Sequence, residues 1–238
     1  MKIVWNLPNV LTALRLASVP FFIYLLAQPD IYSRWIAFFL FAAASITDLV
    51  DGYIARKYRQ ETELGKFLDP LADKALVIGA FVTFLLLSAQ IEMWMVACVI
   101  GRDMFITFLR WLAIRKGQSL RTSVFGKVKT AFQMLAISVI IVSFLIVSLR
   151  ERQEINAFYY AGRDVGMYAW DTAAYNLGLF INGSRDHSVA YALASFLPYY
   201  FMLVTTIVTI ISGLRYLFTN YKLLLPPYGK VSMSSSTS

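Results

Sequence analysis

Histidine and cysteine are almost missing from this chain, which holds one of each, His187 and Cys98. A lone cysteine excludes a disulfide framework, and its apolar surroundings mark Cys98 as a small buried hydrophobe. His187 sits in a polar loop and reads as a solvated residue. Charge is scarce as well, at 15% of 238 residues, while 58% are hydrophobic. With a mean hydropathy of +0.61, these proportions exclude an ordinary soluble core and indicate a membrane protein. The sequence lacks an internal repeat, a soluble domain, a P-loop and a Rossmann fingerprint. Its start, MKIVWNLPNVLT, lacks the charge and the small-residue cleavage site of a removable signal peptide.

Six apolar stretches are present, near 9–28, 35–57, 66–89, 93–114, 124–149 and 191–218. Each is long enough to cross about 30 Å of hydrocarbon. The expected fold is an all-α integral membrane protein with six transmembrane helices in residues 1–222. An outside loop fills 150–190, and a polar tail, 223–238, has the composition of disorder. The net charge of +8 would suggest nucleic acid in a soluble protein. Here the basic residues cluster at span ends, so anionic lipid accounts for them and no nucleic-acid partner is expected. One side carries Lys2, Lys57, Arg59, Lys66, Arg115, Lys116, Arg121, Lys127, Lys129, Lys222 and Lys230. The other carries Arg34, Arg150, Arg152, Arg163 and Arg185. The richer side has the shorter connecting loops, where the positive-inside rule is sharpest. Both termini are therefore expected in the cytoplasm and the protein in the inner membrane.

The outside loop is rich in aromatics: Phe158, Tyr159, Tyr160, Tyr168, Trp170, Tyr175 and Phe180. Such rings favour the membrane–water boundary, which predicts an interfacial helix near 165–181. Asn182-Gly183-Ser184 fits a glycosylation sequon, a pattern too short to carry weight.

Chemistry concentrates in the stretch DLVDGYIARKYRQETELGKFLDPLADK, residues 48–74. Asp48 and Asp51 are three apart, and Asp69 and Asp73 four apart, so on helices each pair shares a face. Two antiparallel helices joined by the polar turn Arg56 to Gly65 would place Asp51 about 10 Å and Asp73 about 12 Å from that turn. All four carboxylates can then meet at one depth. Gathered there they repel by about 1 to 4 kcal/mol per pair. Carboxylate oxygens alone suit Mg2+ or Mn2+ rather than zinc, and two such ions would clamp a phosphoryl group in transfer. The plainer alternative is structural: aspartates that cap helices or pair with Arg56, Lys66 and Lys74. Charges inside apolar spans are costly, which favours the functional reading. A cation transporter is a rival of another class, but the outer half of the third span, VIGAFVTFLLLSA, offers no charged path.

The pattern D-x2-D-G-x2-A-R-x8-G-x3-D-x3-D, filled by Asp48, Asp51, Gly52, Ala55, Arg56, Gly65, Asp69 and Asp73, resembles the signature of the CDP-alcohol phosphotransferase family. The resemblance implies transfer of a phosphatidyl group from CDP-diacylglycerol to an alcohol with release of CMP, and a homodimer. It implies metal ligation by Asp48, Asp51, Asp69 and Asp73, with Asp73 also the general base. Gly52 and Ala55 would admit the nucleotide base, though small residues there would also suit close helix packing. Arg56, Thr62, Gly65 and Thr12 complete the CDP-alcohol site that the resemblance implies.

Three further elements resemble those of bacterial phosphatidylglycerophosphate synthases. The opening Asn6, Pro8, Asn9, Leu11, Thr12 and Arg15 matches N-x-P-N-x-L-T-x-x-R, and GRDMFITFLRW matches R-E-x6-R with Asp103 in place of Glu. Gly126, Lys127, Lys129, Thr130, Gln133 and Met134 fill G-K-x-K-T-x-x-Q-M. Arg15, Arg102, Arg110, Lys127 and Lys129 would then bind a phosphorylated acceptor, with glycerol 3-phosphate preferred to phosphatidylglycerol or inositol phosphate. Plainer readings stand beside this one. Arg15 could snorkel to the interface, Arg102 could pair with Asp103, and the lysines could form a positive-inside belt.

Overall fold

A computed structural model of the chain describes residues 7–57, 63–115, 124–183 and 188–224. These residues form eight helices and no strand: α1 (Leu7–Ala27), α2 (Ile31–Lys57), α3 (Glu63–Leu87), α4 (Met93–Arg115), α5 (Val124–Ile146), α6 (Leu149–Asp164), α7 (Ala169–Ile181) and α8 (Val189–Leu224). Helix α1 packs on both α2 and α3, α5 packs on α8, and α4 and α7 also lie against α8. The core runs through Phe22, Phe41, Phe81, Phe84, Ile137 and Met202, all buried. Phe84 meets Phe144 edge-on at 5.8 Å, joining α3 to α5.

Three helices are long and apolar enough to cross a membrane, over Val10–Ala27, Val128–Ile146 and Val189–Tyr221. The apolar parts of α2 and α3 are shorter, Ile31–Thr47 and Lys74–Leu87, and the middle of α4 carries Arg102, Asp103 and Arg110. Outward-facing Phe21, Phe39, Leu86 and Phe218 are each more than 60% exposed. So much bare apolar surface suits lipid rather than water.

The six stretches expected as spans are helical, as α1 to α5 and α8 with adjusted ends, and three of them are long and apolar enough to cross a membrane. Helix α5 stops at Ile146, three residues early, because Ser148 caps the next helix: its Oγ accepts from Glu151 N at 3.2 Å while Ser148 N donates to the Glu151 carboxylate at 2.7 Å. This reciprocal box begins α6, which the sequence did not lead us to expect. The predicted interfacial helix is α7, starting at Ala169 instead of 165. Between the two, Gly166 takes φ +83°, and Met167 N donates to Gly162 O at 2.9 Å. A residue with a Cβ would be strained there, so glycine sets the turn.

The aromatics of this region do not all sit at a boundary. Phe158, Tyr160, Tyr168, Trp170 and Tyr175 are exposed, but Tyr159 is fully buried. It packs inward because its hydroxyl finds a partner, donating to Ser195 O at 2.7 Å. Cys98 is half-buried rather than enclosed. The tail from 225 onward, His187 and Ser184 of the sequon lie outside the described residues, while α8 continues to Leu224, two residues past the expected boundary.

Candidate active site

The aspartate motif occupies one end of α2 and the opposite end of α3. Asp48 and Asp51 fall within the last three turns of α2, and Asp69 and Asp73 within the first three of α3. The helical backbone that the spacing argument requires is therefore present at all four positions. Gly52, Ala55 and Arg56 follow on α2, and Gly65 opens α3. The side chains of the four aspartates, of Arg56 and of Lys127 lie outside the described residues, as does Thr62 altogether. Among the described residues no three His, Cys, Asp or Glu side chains converge.

Next along the chain, Lys74 reaches from α3 to α4, where its ammonium bonds the Thr107 hydroxyl. Thr107 Oγ1 in turn donates to Asp103 O at 2.7 Å. The residue following Asp73 is thus tied to α4 one helical turn from Asp103. That contact brings the end of the aspartate motif beside a second set of charges.

Asp103 is the centre of this second set. Its Oδ2 accepts from Lys129 Nζ at 2.6 Å and from Gln133 Nε2 at 3.2 Å. Its Oδ1 accepts from Arg102 Nη1 at 3.1 Å. Arg102 Nη2 continues to Ser212 Oγ of α8 at 2.8 Å. Three helices, α4, α5 and α8, are joined by side chains alone. The ionised groups are largely enclosed, with Arg102, Asp103 and Lys129 side chains 15%, 12% and 10% exposed. Among the described residues, two cations share this one carboxylate, in a setting where an ion pair needs good geometry to offset its desolvation. Such a cluster is suited to receiving an anionic group.

The other expected residues separate into two places. Thr12 and Arg15 are buried in α1. Arg110, two turns beyond Arg102 on α4, is exposed, so the structure gathers Arg102 and Lys129 without it. The expected pairing of Arg102 with Asp103 is present, and it does not compete with Lys129, because the carboxylate serves both cations.

Sequence reasoning missed the central role of Asp103 and the participation of Ser212 and Gly213; it placed Gln133 in a motif without a role and read Lys74 only as a possible partner of the aspartates. The role of Gln133 could have been read from its spacing: it lies four residues after Lys129 and so on the same face. Ser212-Gly213, a polar and small pair within the apolar run of α8, was a visible interruption too.

Comparison with known proteins agrees with the geometry. Residues 5–168 match the family model described as CDP-alcohol phosphatidyltransferase. The chain is 39% identical over 140 residues to the CDP-diacylglycerol–glycerol-3-phosphate 3-phosphatidyltransferase of Escherichia coli K12, covering 56% of this chain and 75% of that one. Enzymes of the same name from Shigella flexneri and Shigella sonnei match to the same extent.

Proposed function

Because this chain belongs to the CDP-alcohol phosphatidyltransferase family, we propose that it transfers the phosphatidyl group of CDP-diacylglycerol to sn-glycerol 3-phosphate, giving phosphatidylglycerophosphate and CMP. Membership makes it a membrane phosphatidyltransferase of phospholipid biosynthesis and not a cation transporter. The acceptor is argued from the Asp103 cluster. Arg102 and Lys129 on a shared carboxylate form a preset cationic seat for a phosphate, next to the α3 turn that carries Asp73. A neutral alcohol would have no use for that charge. The observation that carries the reading is the Arg102–Asp103–Lys129 cluster, with the cations at 3.1 and 2.6 Å from one carboxylate.

The family is generally divalent-metal dependent. The donor set fits such an ion: residues 48–74 offer four aspartates, with Glu61 and Glu63 in the turn between them, and neither histidine nor cysteine, a hard-oxygen set for Mg2+ or Mn2+. Asp48, Asp51, Asp69 and Asp73 would hold two ions, whose charge offsets that of the diphosphate. In the reaction, Asp73 takes the proton of the acceptor's hydroxyl. The freed oxygen pair forms a bond to the lipid-side phosphorus, and the phosphorus–oxygen bond to CMP breaks with its electrons leaving on CMP. Thr12, Gly52, Ala55, Arg56, Thr62 and Gly65 hold the CDP moiety, while Arg102 and Lys129 seat the acceptor's phosphate, with Lys127, Arg15 and Arg110, the last two outside the Asp103 cluster, adding to its cationic surroundings. Six spans would set this site at the cytoplasmic face of the inner membrane with both termini inside, and the protein would work as a homodimer.

Mass spectrometry of lipids made by the purified protein from CDP-diacylglycerol and separate acceptors tests the proposal. The expected product is phosphatidylglycerophosphate, formed only with glycerol 3-phosphate. Cardiolipin from phosphatidylglycerol, or a phosphatidylinositol phosphate, would instead reassign the acceptor.

A further inference from the structure

Helix α8 lies beyond the stretch matched to the family, which ends at 168, yet it reaches the cation cluster through two adjacent residues. Ser212 is 1% exposed, and its Oγ accepts from Arg102 Nη2 at 2.8 Å. Gly213 is buried beside it, and a Cβ there would stand 3.0 Å from Arg102 Cγ and 3.2 Å from its Nε. The missing side chain is the space through which the arginine stem passes. Their neighbours Ile210, Ile211 and Leu214 are exposed, so this helix turns Ser212 and Gly213 inward among lipid-facing residues.

An arginine stem is long, and fixing it costs rotamer freedom. Here the guanidinium is held at both ends of its fork, by Asp103 Oδ1 at 3.1 Å and by Ser212 Oγ at 2.8 Å. Two of its five N–H donors are thereby engaged, and the plane is set before any ligand arrives. We propose that Ser212 and Gly213 are positioning residues that seat Arg102 for the acceptor's phosphate, and that α8 in this way tunes affinity for the acceptor. The inference rests on the reading of Arg102 as a ligand of that phosphate. A seat of this kind lowers the acceptor's KM, because it removes the freedom that binding would otherwise have to remove. It leaves the CDP-diacylglycerol site and the proton transfer untouched.

Steady-state kinetics of the purified full-length protein, varying each substrate in turn, provides the test. Ser212→Ala removes the acceptor oxygen with little change in shape, and it is expected to raise the KM for glycerol 3-phosphate by about tenfold. kcat and the KM for CDP-diacylglycerol should stay within about twofold. Ser212→Thr, which keeps a hydroxyl, restores the wild-type KM. Gly213→Ala pushes on the stem and acts in the same direction as Ser212→Ala; should it fail to fold, as read by thermal melting, Ser212→Ala decides. Arg102→Ala combined with Ser212→Ala is expected to be no worse than Arg102→Ala alone, because the serine acts through the arginine. If Arg102→Ala raises the acceptor KM and Ser212→Ala does not, the seat is wrong while the phosphate reading stands. If Arg102→Ala leaves the acceptor KM unchanged, or glycerol 3-phosphate is not turned over at all, both fall. Equal losses for both substrates in Ser212→Ala would make the serine structural and overturn the seat.

Discussion

At the Arg102 end of the bundle, the enclosed charged side chains bond to other side chains; at the α6–α7 end, Arg34, Asn156, Arg163 and Gln90 bond to backbone. Arg34, only 2% exposed, donates to Gln28 O at 3.3 Å, Pro29 O at 2.8 Å and Phe144 O at 3.1 Å, closing carbonyls beyond α1 and in the last turn of α5. Asn156 of α6 accepts from Ala89 N at 2.9 Å and donates to Leu87 O at 3.0 Å, and Arg163 donates to Ala89 O at 2.6 Å. Pro198 inside α8 has no N–H to offer Ala194 O four residues back. Gln90, from the turn between α3 and α4, donates to that carbonyl at 2.8 Å. Helix ends and a proline leave carbonyls without helical partners, and in an apolar setting each must be satisfied from elsewhere. The polar residues at the α6–α7 end answer that requirement. At the Arg102 end, Asp103, Lys129, Gln133 and Ser212 lie within helices and are bonded to one another and to Arg102 by their side chains. Charges placed where the backbone does not need them are candidates for function.

The comparison predicts that changes at the two ends separate activity from stability. The largest effect should come from chelation. Exhaustive EDTA treatment is expected to stop turnover, with Mg2+ or Mn2+ restoring it and the thermal midpoint little changed. Full activity after chelation would remove metal from the aspartate motif. Asp73→Asn comes next. It keeps the bulk and removes the base, so turnover should fall by about 100- to 10,000-fold while the protein folds normally. Wild-type turnover in saturating metal would release Asp73 from its role.

Arg34→Met tests the other end. Three carbonyls lose a charged donor, at a cost of about 3 kcal/mol, lowering the thermal midpoint by about 6 to 12 °C. The KM values for both substrates should hold in the protein that remains folded. A selective rise in the acceptor KM would mean that the two ends are coupled and that the contrast between them is too simple.

The sequence made the Arg102 end more legible than the other. The aspartate pairs, Arg102 and Lys129 were visible because charges at helical spacing stand out against apolar residues. Asp103 was visible but was read as a partner for Arg102 alone, since one dimension does not show that Lys129 on α5 arrives at the same carboxylate, at 2.6 Å. The α6–α7 end was much less legible. Asn156, Arg163 and Gln90 follow no motif; their partners are backbone carbonyls, which every residue has. Helix α6 escaped notice although Ser148-x-x-Glu151 spells a capping box, because its aromatics drew attention to the membrane boundary instead. Pro198 was a sign that a carbonyl needed a donor, but only the fold shows that Gln90, 104 residues earlier, supplies it.

The smallest expected effect concerns Tyr159, the buried ring at the α6–α7 end. Burial pushes its hydroxyl up from the ordinary value of 10.0, and the charges of Tyr200 and Tyr199 add to this, against a lowering from the Asn176 hydrogen bond. The hydroxyl donates to Ser195 O at 2.7 Å, which Asn176 Nδ2 also approaches at 3.3 Å. Because Asn176 remains as a second donor, Tyr159→Phe should cost only about 1 kcal/mol at neutral pH. The pH dependence gives the sharper reading. The folded state holds the phenol protonated above the point where the unfolded chain releases the proton, so the tyrosine's contribution is complete below pH 10 and shrinks as pH rises past it. The stability difference between wild type and Tyr159→Phe should therefore narrow above pH 10, by as much as about 1.4 kcal/mol per pH unit. Denaturation of the two proteins side by side, from pH 8 upward, measures this, and comparing them cancels the titration of other groups. A difference that stays constant to pH 11 would mean that the ring ionises in place, that water reaches it, and that this end of the bundle is less closed than its hydrogen bonds imply.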